Sequence, residues 1–244
     1  MNNTFFDMKR TILAIITVAL ASLHMMAEGD LKRYEINVSD FSELKVLEGL
    51  NVDYKCSEDS NGFVVFNAAP DIASIIMLNN NKSCLELQIS TDGIDYDNLP
   101  RITVYSRFLN KVENDGDSLV RVLSVAPTAS FRATLIGNGG LAVHGISTNN
   151  FVGAIKTGNG VIAVDGKTTK AHLSVVGTGS IQADDLEANE IKCSLSGTGI
   201  IECNPASKLT AVATFGVSSG KIYYRGKPEI KDRAPGVKIL PMEQ

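Results

Sequence analysis

The sequence predicts an all-β chain: a right-handed parallel β-helix, or β-solenoid, with coils of about twenty residues and GxG turns, preceded by a less regular β region. Two observations carry this. First, a turn of small residues returns five times, as Gly137-Asn138-Gly139, Gly158-Asn159-Gly160, Gly177-Thr178-Gly179, Gly197-Thr198-Gly199 and Ser218-Ser219-Gly220. Second, apolar residues alternate on both sides of every turn. Before it stand Phe131, Ala133 and Leu135, then Ile155, Leu173 and Val175, Ile191, Cys193 and Leu195, and Leu209, Ala211 and Ala213. After it stand Leu141 and Val143, Ile162 and Val164, Ile181 and Ala183, Ile201 and Cys203, and Ile222 and Tyr224.

Alternation with period two marks half-buried strands. Because the same columns stay apolar from unit to unit, each strand is expected above its equivalent in the preceding unit, about 4.8 Å away. A single coil cannot bury its apolar face, whereas a stack can. The turn glycines supply positive φ or room for a close backbone. Their middle residues, Asn138, Asn159, Thr178, Thr198 and Ser219, are expected to form a polar stack.

The chain has 244 residues, 44% of them hydrophobic, with no tryptophan and a formal net charge of -4. A mildly acidic chain without a basic patch argues against nucleic acid. At the N-terminus Lys9-Arg10 and the apolar stretch Thr11–Leu23, with Ala19-Leu20-Ala21 as a small-residue cleavage pattern, read as an export signal over residues 1–27. The apolar stretch is short for a membrane span, so no span is expected after leader cleavage. The predicted location is outside the cytoplasm, in the periplasm, on the outer surface or secreted.

Residues 34–110 form the irregular region. Its expected strands are Glu43–Leu47, Asn51–Cys56, Phe63–Asn67, Cys84–Ile89 and Ile102–Tyr105. They form either the opening coils of the solenoid or a β cap on its end. The stretch after Pro70-Asp71, Ile72–Leu78, fits a short helix or an edge segment, the second favoured. Regular repeats and a closing segment occupy residues 111–240, with Asn114-Asp115-Gly116 as a degenerate first turn.

Candidate chemistry is sparse. Four cysteines in an exported chain predict disulfides. Cys193 and Cys203 flank one turn on the inward face, and Cys56 and Cys84 share the N-terminal region; the alternative is four small buried thiols. No zinc spacing and no cofactor motif is present: the Gly turns are not GxGxxG, and no helix follows them. Beyond each turn an outward column carries His144, Asp165, Asp184 with Asp185, Asn204 and Arg225. In register, Asp165 and Asp184 would lie close enough to share a cation, grip sugar hydroxyls or serve as the carboxylate pair of a glycosidase. Against this stands the plainer reading of solvated strand ends, where Asp, Asn and His are ordinary turn formers. Tyr223, expected to point outward beside Arg225, would stack on a sugar ring or cover the last coil. The acidic loop Asp92–Asp97 lacks the order of a calcium loop and reads as solvated.

The GNG and GTG turns, followed by the closing phrase Ile222-Tyr223-Tyr224-Arg225-Gly226-Lys227-Pro228, resemble the bacterial head GIN domain family of auto-transporter adhesins, formerly a domain of unknown function. The resemblance spans about Phe41 to Ile239, with Asn and Thr where the family often has Ser and a loosened fifth turn. It implies a β-helix related in shape to pectin lyases and an inferred adhesive role, with no catalytic residues to carry over.

The expected function is therefore that of a non-catalytic secreted or cell-envelope β-helix protein binding an envelope or host-surface ligand, a glycan among the candidates. The alternatives are a polysaccharide lyase or hydrolase using the Asp165/Asp184 face, and a periplasmic scaffold forming homo-oligomers through its exposed sheet.

Overall fold

A computed structural model describes residues 31–59, 62–90, 99–213 and 218–242. The leader and the acidic loop Asp92–Asp97 lie outside the described residues. The chain is all-β, a β-solenoid of about six turns with coils of about twenty residues.

The regular part is built from β10 (Thr128–Ile136), β11 (Gly140–Thr157), β12 (Val161–Gly177), β13 (Ser180–Gly197) and β14 (Ile200–Ala213), joined in parallel, each to the next. Each long strand bends round most of a coil. In β11, buried residues alternate with exposed ones at Leu141 and Val143, then at Ile146 and Thr148, then again from Phe151. Two consecutive exposed residues break the phase at His144-Gly145 and at Asn149-Asn150. These breaks, with the Gly turn, give the coil three short sides. At the second break the Thr148 hydroxyl donates to Asn150 O at 3.3 Å, and one coil on Thr168 does the same to Lys170 O at 3.1 Å. A side chain thus binds the backbone at the corner.

The interior is a set of ladders. Ile102, Val52, Val120, Leu141, Ile162, Ile181, Ile201, Ile222 and Ile239 are partners in unbroken succession. From Ile102 to Ile222 none of them is more than 1% exposed. On the side before the turn run Leu85, Leu44, Val112, Ala133, Gly153, Leu173, Cys193 and Ala211. Gly153 breaks that apolar column because the Phe151 ring fills its place: a Cβ there would stand 3.1 Å from Phe151 Cε1. Phe151 stacks on Phe131 with ring centroids 6.5 Å apart.

The turns form a polar stack that begins one coil earlier than the glycines suggest, at Asp117, and is linked by side chains as far as Thr178; Thr198 and Ser219 continue it through backbone bonds to Gly177 O and Gly197 O. Asn138 N–H donates to Asp117 Oδ1 at 3.1 Å, Asn159 N–H to Asn138 Oδ1 at 3.1 Å, and the Thr178 hydroxyl to Asn159 Oδ1 at 3.3 Å. The first turn is therefore Gly116-Asp117-Ser118, not Asn114-Asp115-Gly116. Asn114 instead occupies the inward column between Val46 and Leu135. Fully buried, its amide donates to Ser118 O and Gly140 O at 2.9 and 3.0 Å, which offsets its desolvation.

The N-terminal region contains both coils and a cap. β2 (Glu43–Leu47) and β3 (Val52–Cys56) form one coil, β6 (Cys84–Ile89) and β7 (Ile102–Ser106) a second, and β8 (Lys111–Asp115) and β9 (Leu119–Ser124) a third. All join in parallel, but not in chain order: the β2–β3 coil lies between the other two. The outer end is closed by antiparallel strands. β1 (Lys32–Asn37) pairs with β4 (Phe63–Ala68), β4 with β7, and β5 (Ile76–Asn81) with β6. The stretch from Pro70 divides into a short helix, α1 (Pro70–Ile75), and the edge strand β5. Proline at its start suits a first helical turn. At the far end β15 (Lys221–Tyr224), β16 (Glu229–Arg233) and β17 (Lys238–Pro241) complete the stack. β16 is exposed at all five positions, four of them charged, which guards an open edge against pairing with other chains.

Candidate binding surface

The outward column exists, but its charges are paired within the chain. His144 Nδ1 lies 2.7 Å from Asp165 Oδ2, and Gly145 N–H donates to Asp165 Oδ1 at 2.7 Å. Asp184 bonds the Arg225 guanidinium, which also stands 3.6 Å from Asp185. Asp185, not Asp184, is the register partner of Asp165, because the strand shifts after Ala163. Asn204 leaves the column altogether and pairs with Glu187. The paired-carboxylate expectation for Asp165 and Asp184 is corrected accordingly: each carboxylate already has a cationic or backbone partner. Among the described residues no group of three His, Cys, Asp or Glu side chains is placed to hold a metal ion.

Tyr223 lies between Glu202 and Leu240 in register, so the last strand partly covers it. Together with Pro241 and Met242 these residues border an open depression of about 630 Å³. Burial and the neighbouring Asp184 charge raise the Glu202 carboxyl above its ordinary pKa, against the pull of Arg225.

The four cysteines carry no disulfide in the structure, and of the two expected pairings the fold sets only Cys56 and Cys84 apart. Cys193 and Cys203 do meet inside the coil. The hydrogen bond with Cys203, reinforced by burial, pushes the Cys193 thiol well above its ordinary pKa, and the Cys203 thiol donates to Tyr223 O at 3.4 Å. Cys56 and Cys84 are separated. Cys84 opens one side of its coil beside Glu43, whereas Cys56 closes another side and donates to Arg107 O at 3.2 Å. A colorimetric thiol reagent at neutral pH is therefore expected to titrate Cys56 and Cys84 on the folded protein and all four cysteines only in denaturant. Rapid reaction of four thiols in the native state would contradict this burial.

Sequence reasoning missed a charged cluster at the N-terminal coils. Asp53, 7% exposed, is gripped by Arg121 through Nε at 2.7 Å and Nη2 at 2.6 Å, and by Arg101 Nη1 at 3.0 Å. Burial works to raise its pKa, but the Arg121 hydrogen bond and the charges of both arginines outweigh it, and the carboxyl sits below its usual value. Its stabilising effect is full above the unfolded value of about 3.9 and is lost as pH falls through the lower folded value. Asp53→Asn is expected to lower the melting temperature at pH 7, with the gap to the parent closing in acid. A gap that stays constant with pH would exclude this ionic contribution.

A second feature escaped because its members are about twenty residues apart. Lys111, Arg132, Val152, His172, Lys192, Thr210 and Lys231 are register neighbours on the outer face before the turn. The signal was the second position of each repeat, which reads Arg, Val, His, Lys, Thr.

With this geometry in view the comparisons are informative. The sequence profile of the family described as "Putative auto-transporter adhesin, head GIN domain" matches residues 40–228. The chain belongs to the head GIN domain family. Solved structures share the solenoid of this head GIN domain. An adhesin-designated protein from Bacteroides fragilis is 24% identical, with TM-score 0.79 over 88% of this chain and 98% of that one. A protein from Parabacteroides distasonis designated lipid-binding is 20% identical, with TM-score 0.68 and the same coverage. Another adhesin-designated protein, from Parabacteroides merdae, is 17% identical, with TM-score 0.66 over 89% and 98% of the two chains. Among functionally curated proteins none matches. At these identities the structures speak for the fold alone. Among the described residues no helix is long and apolar enough to cross a membrane.

Proposed function

We propose that this head GIN domain protein is exported and acts without catalysis, as a rigid adhesive element that binds a ligand of the cell envelope or of a host surface. The observation that carries the reading is the occupied state of the column a glycan-cleaving enzyme would use. Asp165 is held by His144 and Gly145, and Asp184 by Arg225, so neither carboxylate is poised as acid, base or cation ligand. Family membership supports adhesion, and the Lys9-Arg10 leader with its apolar run supports export. A stacked sheet also suits the task, since it presents repeating outward columns at fixed spacing with little conformational entropy left to lose on binding.

Washed, tagged protein on an array of host and microbial glycans and envelope extracts is expected to retain a ligand. Release of products from polyuronides in calcium, abolished by Asp165→Asn, would instead establish the enzymatic alternative.

A further inference from the structure

The chain is acidic overall, with a formal net charge of -4, yet its positive charge is not spread evenly. The sheet face before the turn, from β10 to β16, carries Arg132, Lys156, Lys170, Lys192, Lys208, Lys231 and Arg233 against Glu190, Glu229 and, on the end strand, Asp232. All three acids are engaged, Glu190 with Lys170 at 3.8 Å, Glu229 with Lys231 at 3.9 Å, and Asp232 with Ala234 N–H at 2.9 Å. Arg132, Lys156, Lys192, Lys208 and Arg233 have no ion-pair partner among the described residues.

We infer that this face is a binding site for an acidic polysaccharide laid along the solenoid axis, its carboxylates or sulfates meeting the cations of successive coils. The inference rests on the adhesive reading above and adds the place and the ligand chemistry.

Three features support it. The spacing is set by backbone hydrogen bonds, so Arg132 and Lys192, three coils apart, are held about 14 Å from one another along the axis. A flexible cluster would have no such fixed repeat. Between the cations lies a shallow groove of about 360 Å³, bordered by Asn150, Lys170, His172, Glu190, Lys192 and Thr210; its amide and hydroxyl groups suit sugar hydroxyls, and its one carboxylate, Glu190, is paired with Lys170. His172 also contacts the Ser194 hydroxyl, with Nε2 and Oγ 3.2 Å apart. Finally, burial, and after it the charges of Lys192, Lys156 and Arg132, hold His172 below its ordinary pKa, and those three cations make the positive field that a bound anion would meet.

Single-stranded nucleic acid fits less well. Such binders stack bases on exposed aromatic rings, whereas the rings of this face, Phe131 and Phe151, are buried.

The test is direct binding of the folded chain to heparin, polygalacturonate, neutral dextran, a single-stranded oligonucleotide and phosphatidylglycerol vesicles, at low and high salt. Heparin or polygalacturonate is expected to bind best, with affinity falling as salt rises. The double reversal Arg132→Glu with Lys192→Glu should weaken that binding at least tenfold. Lys55→Glu with Lys221→Glu, exposed residues of the other face with the same change in net charge, should leave it within about twofold. Equal loss in both pairs, equal binding of dextran, or tighter binding of the oligonucleotide or the vesicles would overturn the inference. A chain that ignores both acidic polysaccharides but retains another ligand on the array sinks this inference and leaves the adhesive reading standing. A chain that retains nothing sinks both.

Discussion

Ile181→Asp is expected to leave the chain unfolded at room temperature. Ile181 is a fully buried rung between Ile162 and Ile201, so the new carboxylate would have apolar neighbours above and below and no water. Burying one unpaired charge costs several kcal/mol or more, and a domain of this kind has about 5–15 kcal/mol in hand. The neighbouring Gln182→Asp makes the same chemical change on the exposed side of the strand. It should cost no more than about 1 kcal/mol, the penalty of a like charge opposite Glu202 in register. Circular dichroism melts of the two variants decide the matter. Similar melting temperatures would show that the two faces have been assigned wrongly.

Gly158→Ala should be nearly as damaging, for a different reason. Gly158 has φ +91°, and a Cβ on it would lie 2.1 Å from Gly137 O in the coil below. The obstacle is backbone fixed by the sheet, so the coils themselves would have to separate. Gly145→Ala separates the two causes. That position also has positive φ, +65°, but an added Cβ meets nothing within 4 Å. It should lose only the left-handed penalty of about 1–2 kcal/mol, whereas Gly158→Ala should lose substantially more. Equal losses would mean that the turn stack is looser than its geometry indicates.

The solenoid was legible because its two determinants are local and repeated. Leu141, Ile162, Ile181, Ile201 and Ile222 occupy one place in a period of about twenty, and each sits two residues beyond a glycine. Where one determinant lapsed, the reading slipped. The first turn was misplaced because Ser118 stands where later units have a second glycine, and because Asn114, a polar residue, takes an inward place.

The N-terminal strands could be bounded from their alternation but not ordered. Pairings such as Val52 with Val120 and Lys32 with Ala68 join distant residues and leave no local trace. The candidate site suffered most. His144 meets Asp165, and Arg225 meets Asp184, but a strand shift after Ala163 makes Asp185 rather than Asp184 the register partner of Asp165. The expectation of no basic patch fails at the Arg132–His172–Lys192 face, whose members lie about twenty residues apart in sequence and come together only across the coils. Asp53 with its two arginines shows no pattern in sequence at all, since Arg101 and Arg121 belong to different coils.

The place of the β2–β3 coil has a mechanical consequence. Residues 43–56 are gripped from both sides by strands that follow them in the chain, β6 and β7 on one side and β8 and β9 on the other. An outermost coil would peel away by unzipping one interface; this one must shear two at once. Tension entering through the N-terminus therefore meets a clamp after the short β1–β4 pairing, and the repeats beyond it are shielded from the load until that clamp gives way.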